Sequence, residues 1–170
     1  MEKEQGMARI RRVDHIGIAV RNLDHSIPLF EKLFGAKLIV RKRGTMQGYP
    51  MAVAYMQVGE SIFALDEAVT PDGFIAQFIE KRGEGLHHIG LEVDDLDEYI
   101  RELEAQNVRI PVKSLEGEFR REILLSPREA SGVVWQIIEW KGSPDLTLAE
   151  RIDRLHRYKE FEEDRLAQED

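Results

Sequence analysis

Two stretches of this chain repeat one another at an offset of 73 residues. Val13-Asp14-His15-Ile16-Gly17-Ile18-Ala19-Val20 lies on Leu86-His87-His88-Ile89-Gly90-Leu91-Glu92-Val93, and Arg21-Asn22-Leu23-Asp24 lies on Asp94-Asp95-Leu96-Asp97. Each copy opens with an alternating strand that reaches a polar turn, where Asn22 or Asp94 can satisfy the free amides of a following helix. That helix ends at Gly35 in the first copy and at Asn107 in the second. Three further strands follow in each half. In the first they read as Lys37 to Arg41, Ala52 to Val58 and Ser61 to Asp66, with Gly59-Glu60 a tight turn. In the second they read as Val108 to Pro111, Ile123 to Ser126 and Val133 to Glu139.

The expected fold is therefore α+β: two tandem βαβββ units, 12–70 and 85–140, within one domain of residues 12–140. A single unit cannot bury its own sheet face, so the two should pair into a curved, partly closed mixed sheet around a central cleft. Residues 1–11 read as an N-terminal arm. Ile75, Phe78 and Ile79 recur at helical spacing and predict a linking helix over 72–81. A C-terminal amphipathic helix is expected over 146–168, with Thr147-Leu148-Ala149-Glu150 as its capping box and Ile152, Leu155, Tyr158 and Phe161 on one stripe.

Composition narrows the chemistry. The chain has 42% apolar and 33% charged residues, which suits a globular core. It has no cysteine, so any metal must be held by His, carboxylate or amide groups. A net charge of −8 and the lack of a basic stripe speak against nucleic acid as a partner. With no signal-type segment and no long apolar run, the expectation is a cytoplasmic protein with no membrane partner.

The paired His-Ile-Gly strands and the duplicated unit resemble the vicinal oxygen chelate superfamily, also called glyoxalase-fold proteins, from Arg12 to Trp140. Within it, Phe78-Ile79-Glu80-Lys81-Arg82-Gly83-Glu84-Gly85-Leu86-His87-His88-Ile89 is most similar to the methylmalonyl-CoA epimerases. Val93-Asp94-Asp95, Ser126-Pro127 and Gly132-Val133-Val134 agree with the same pattern. The resemblance implies a divalent cation on four inward-facing ligands, two glutamates that shuttle a proton, and a homodimer. His15 and His88 stand at the first and third ligand positions. Strand parity supports His88, which shares its face with Gly90 and Glu92, and turns His87 the other way.

The remaining positions depart from the family. The second ligand falls on Ala64, which has no donor atom, and the fourth falls on Gln136, whose amide can coordinate but cannot accept a proton near neutral pH. The second base aligns with Val53. Asp66, two residues beyond Ala64, is a substitute ligand, and Glu92 joins Gln136 as a candidate for the catalytic chemistry. Glu139 has the wrong parity and reads as a solvated strand end. Lys81 and Arg82 are candidate anchors for an anionic substrate or a CoA phosphate. A site of His15, His88, Gln136 and Asp66 offers only nitrogen and oxygen, which suits Zn, Ni, Co, Mn or Fe without choosing among them.

The function these residues imply is a metal-dependent, epimerase-like isomerase acting on an acyl-CoA or related α-acidic carbonyl through a stabilised enolate. The alternatives are a non-catalytic small-molecule binding module, or another glyoxalase-type enzyme such as a dioxygenase or a lactoylglutathione lyase-like lyase.

Overall fold

The computed structural model of the protein describes residues 9–142, 145–159 and 161–163. Most of the expected N-terminal arm lies outside the described residues. The chain forms two compact units, which divide within the first strand after Asp14 and within the fifth after His87. One unit joins the N-terminal residues through Asp14 to residues 88–144, and the other joins residues 15–87 to the C-terminal segment.

The second of these holds most of the first repeat: β1 (Ile10–Val20), α1 (Leu23–Phe34), β2 (Lys37–Met46), β3 (Tyr49–Val58) and β4 (Ser61–Ala68). β1 runs parallel to β4, and β4, β3 and β2 pair antiparallel in turn. Asn22 caps α1 by accepting from the His25 amide, and Gly35 closes it with φ 61°. β2 and β3 are longer than expected because Gln47 and Gly48, with φ 52° and 82°, close a two-residue hairpin turn whose twist suits the strands. α1 covers Val20, Ala52, Ala54, Met56 and Leu65, the apolar positions of one sheet face.

The other unit repeats the plan. β5 (Gly85–Val93), α3 (Leu96–Ala105), β6 (Val112–Ser114), β7 (Arg120–Leu125) and β8 (Val134–Trp140) follow the linking helix α2 (Phe74–Arg82). β5 is parallel to β8, and β8, β7 and β6 pair antiparallel. The βαβββ duplication is thus present strand for strand. Val93, Leu96, Tyr99, Ile100, Ile123, Leu125 and Ile137 form the core between α3 and its half-sheet.

Other boundaries also differ from expectation. The residue capping α3 is Asp95, whose carboxylate accepts from the Glu98 amide, while Asp94 pairs with Arg11 instead. The strand expected over Val108 to Pro111 begins at Val112, since Pro111 has no N–H to give a ladder. The C-terminal helix α4 spans only Leu148–Arg157, after which Glu162–Glu163 form a short strand, β9, on β2. Its capping box is as expected, with both reciprocal bonds between Thr147 and Glu150. Residues 164–168 of the expected helix lie outside the described residues. No helix among the described residues is long and apolar enough to cross a membrane.

Candidate active site

Strand register fixes which side chains share a face. In the unit holding β8, Gly90 lies opposite Gln136, and Glu92 lies opposite Ile138, so His88, Glu92 and Gln136 all stand on the face away from α3. β7 adds Leu124 opposite Gln136, Glu122 opposite Ile138, and Arg120 opposite Trp140. Gln136 is 3% exposed, and its Oε1 has no hydrogen-bond partner. A buried carbonyl-type oxygen without a donor is costly, on the order of 1–3 kcal/mol, and such an atom marks a place for a cation or a hydrogen-bonding ligand.

Two ion pairs, each with a buried carboxylate, lie in the next row, opposite Ile138. Arg12 Nε lies 3.4 Å from Glu92 Oε2, and Arg120 Nε lies 2.9 Å from Glu122 Oε2. Glu92 and Glu122 are both buried. Arg120 also stacks over the Trp140 ring at 5.3 Å, and Trp140 Nε1 donates to Asp14 Oδ1 at 2.9 Å. Arg120 and Glu122 escape a reading that starts the strand at Ile123. The alternation of Arg120 and Glu122 with Arg121 and Ile123 was the available signal.

Glu139 does face the other way, as its parity predicts, but it is not a solvated strand end. Its carboxylate accepts from the Leu96 amide at 2.7 Å and from Arg121 at 2.9 Å. The first repeat uses the same device, with Glu67 accepting from the Leu23 amide at 2.6 Å. Each repeat therefore satisfies the first amide of its helix with a glutamate from its fourth strand.

In the unit that begins at His15, Gly17 lies opposite Ala64, and Ala19 opposite Asp66. His15, Ala64 and Asp66 thus share the face away from α1. His15 is 4% exposed and meets Tyr55 edge-on, with ring centroids 6.4 Å apart. Asp66 is buried on the same row as Val53 and Lys42. Asp66 and His87, in this same unit, bring donor atoms within 4.8 Å of one another. His87 packs against Phe78 and Phe74 of α2, at 4.9 and 5.9 Å between centroids. Burial lowers its pKa to about 4, so its ring is neutral at physiological pH, the form that offers a lone pair. Lys81 and Arg82 are exposed in the last turn of α2, where their charges suit the helix C-terminus, and Arg82 lies 5.9 Å from the Phe78 ring.

The sheet plan agrees with what the chain is similar to. Residues 14–121 match the Glyoxalase/Bleomycin resistance protein/Dioxygenase superfamily, and the protein belongs to that family. It is 33% identical over 137 residues to the uncharacterized protein YqjC of Bacillus subtilis, a match covering 78% of this chain and 95% of that one. It is 28% identical over 137 residues to the mitochondrial methylmalonyl-CoA epimerase of Dictyostelium discoideum, covering 79% of this chain and 81% of the relative. Among solved structures, the methylmalonyl-CoA epimerase of Mycobacterium tuberculosis superposes with a TM-score of 0.71 at 26% identity, covering 81% of this chain and 93% of that one.

Proposed function

We propose that this protein is a divalent-metal-dependent isomerase of the epimerase type, acting on an acyl-CoA thioester that carries an acidic α-hydrogen. The observation that carries the reading is the buried, unpartnered Oε1 of Gln136, set among Glu92, Gly90 and the β5 histidine on one sheet face. The sequence likeness to methylmalonyl-CoA epimerases supplies the substrate class.

The donor set fits a borderline cation: His15 and His88 through nitrogen, Gln136 and Asp66 through oxygen. The neutral His87 stands beside Asp66 without adding a positive charge to the site. A cation held by these residues would supply Lewis-acid polarisation of a carbonyl, worth several kcal/mol. Glu92 is the proton acceptor, because it is a carboxylate on the face of Gln136 and Arg12 fixes its orientation. Lys81 and Arg82, exposed at the end of α2, anchor the CoA phosphates. The reading includes a cytoplasmic homodimer.

The test is metal content per chain by mass spectrometry, on protein purified without chelators, alongside the exchange of α-hydrogen for deuterium in methylmalonyl-CoA. Near-stoichiometric metal that is lost in His15→Ala and His88→Ala, together with exchange, supports the reading. One observation favours a second reading, a binding module without chemistry: the ligand position at Ala64 is buried and offers no donor. Ligand binding without metal and without exchange would place the protein there.

A further inference from the structure

Glu122 has no role in the reading above, although its placement matches that of Glu92. The two glutamates lie on the same face of the half-sheet, each directly opposite Ile138 of the strand between them. Two strand spacings put their backbones about 10 Å apart. Glu92 is 2% exposed and Glu122 8%. A carboxylate buried this deeply persists as a charge only when it is paired, and here each has its own guanidinium, Arg12 for Glu92 and Arg120 for Glu122. The Arg120 side chain is itself fixed by Trp140, which Asp14 holds through the indole N–H. Between the two acids lies an apolar floor, Ile138, with the unpartnered Oε1 of Gln136 in the next row.

Inverting a carbon that bears one α-hydrogen requires that a proton leave one face and that another arrive on the opposite face. A single fixed carboxylate reaches only one face. We propose that Glu122, positioned by Arg120, is the second proton-transfer carboxylate, acting across the α-carbon from Glu92; the inference rests on the epimerase reading. The ionised member of the pair takes the α-proton, so that the C–H bond breaks, an O–H bond forms and the electron pair moves onto the thioester oxygen. The protonated member then gives its proton to the other face of the α-carbon, its O–H bond breaking as the new C–H bond forms. The pair ends with its protonation reversed, ready for the opposite epimer or for reset by exchange with water.

The experiment incubates each separate epimer of methylmalonyl-CoA in deuterium oxide with the native protein, Glu92→Gln and Glu122→Gln. Glu122→Gln strands the Arg120 charge, so the paired change Arg120→Met with Glu122→Gln is made as well, leaving no buried ion without its partner. The expected result is loss of inversion by about 100-fold or more in every variant. Exchange without inversion should survive on one epimer in Glu92→Gln, and on the opposite epimer in the variants at Glu122. A purely structural role would slow both epimers alike. Inversion at the native rate in the paired variant, or loss of exchange on the same epimer for both glutamates, overturns the proposal and leaves the epimerase reading standing. If the native protein exchanges neither epimer, both fall together.

Discussion

The ammonium of Lys42, on β2, donates to the main-chain carbonyl oxygen of Tyr158, 116 residues further along the chain. The same ammonium lies 3.4 Å from the His156 carbonyl oxygen and 5.6 Å from the Tyr158 ring, and the residue is 1% exposed. A cation so buried replaces its water with the carbonyls at the end of α4. Lys42→Met should lower stability by about 1–3 kcal/mol, the cost of leaving those carbonyls without a donor. Urea denaturation measures the loss, and hydrogen exchange should rise first at the amides after Arg157.

Gly44 lies two residues further along β2, and a β-carbon there would overlap the Phe161 ring. Gly44→Ala should therefore displace the ring and cost about 1–3 kcal/mol, and Phe161→Ala should cost about 3–5 kcal/mol for a side chain that is now buried. The double variant should be less destabilised than the sum, because the added methyl fills part of the space the ring left. An additive result in thermal denaturation would show that the two residues do not compete for the same volume.

The paired glutamates at the helix starts make a third prediction. Glu139→Ala removes the acceptor of the Leu96 amide and the partner of Arg121, and Glu67→Ala does the same to the Leu23 amide. Each should cost about 1–3 kcal/mol in urea titrations. Glu139→Gln, which keeps an acceptor but not the charge, should fall between native and Glu139→Ala.

At the start of α4, Glu150 accepts from the Thr147 amide at 2.8 Å and from its hydroxyl at 2.7 Å. These bonds hold the Glu150 carboxyl below its ordinary value of 4.5. Its folded pKa lies below its unfolded one, so the stabilisation is present at neutral pH and is lost as pH falls below about 4.5. Thr147→Ala should lower Tm at pH 7, and the gap from the native protein should narrow towards pH 3.

Gln136→Glu tests the proposed metal site from the opposite direction to the histidine variants. Without metal it buries one more carboxylate beside Glu92 and Glu122, and Tm should fall. With added zinc or cobalt the extra charge should tighten binding by about tenfold or more, and Tm should recover beyond the native shift. Calorimetric titration that finds no gain in affinity would place the metal elsewhere.

The duplication was legible because its signals are local. Alternation set the faces of β1 and β5, while Asn22, Gly35 and the Thr147–Glu150 box marked helix ends with the residue types that cap geometry demands. The shared face of His88 and Glu92 followed from parity, whereas Gln136 entered through the resemblance and the strand register puts it on that face. The C-terminal stripe was read as one helix because Ile152, Leu155, Tyr158 and Phe161 recur every three residues. The chain instead turns extended at Tyr158, and burial of Tyr158 and Phe161 on β2 produces the same spacing without helix. The burial of Lys42 had no local signal, since it depends on Tyr158, 116 residues further along the chain. The rest position of the His87 ring was likewise out of reach: Phe74 and Phe78 pack against it, and strand alternation does not see α2.

The unit that carries Glu92, Glu122 and Gln136 is discontinuous, and this sets an order on synthesis. Its first strand segment is translated long before its partners: the Arg9 carbonyl accepts from the Asp94 amide, Arg11 pairs with Asp94, Arg12 with Glu92, and Asp14 with Trp140. The Asp14–Trp140 link spans 126 residues. A growing chain therefore exposes residues 9–14 without their partners until almost the whole domain has left the ribosome, and the loop closed last is the longest and slowest. The sheet face of Glu92, Glu122 and Gln136 is completed only when the segment before His15 meets the strand that ends in Trp140, so a ribosome stalled before Trp140 should leave Asp14 without its indole partner and that face unmade.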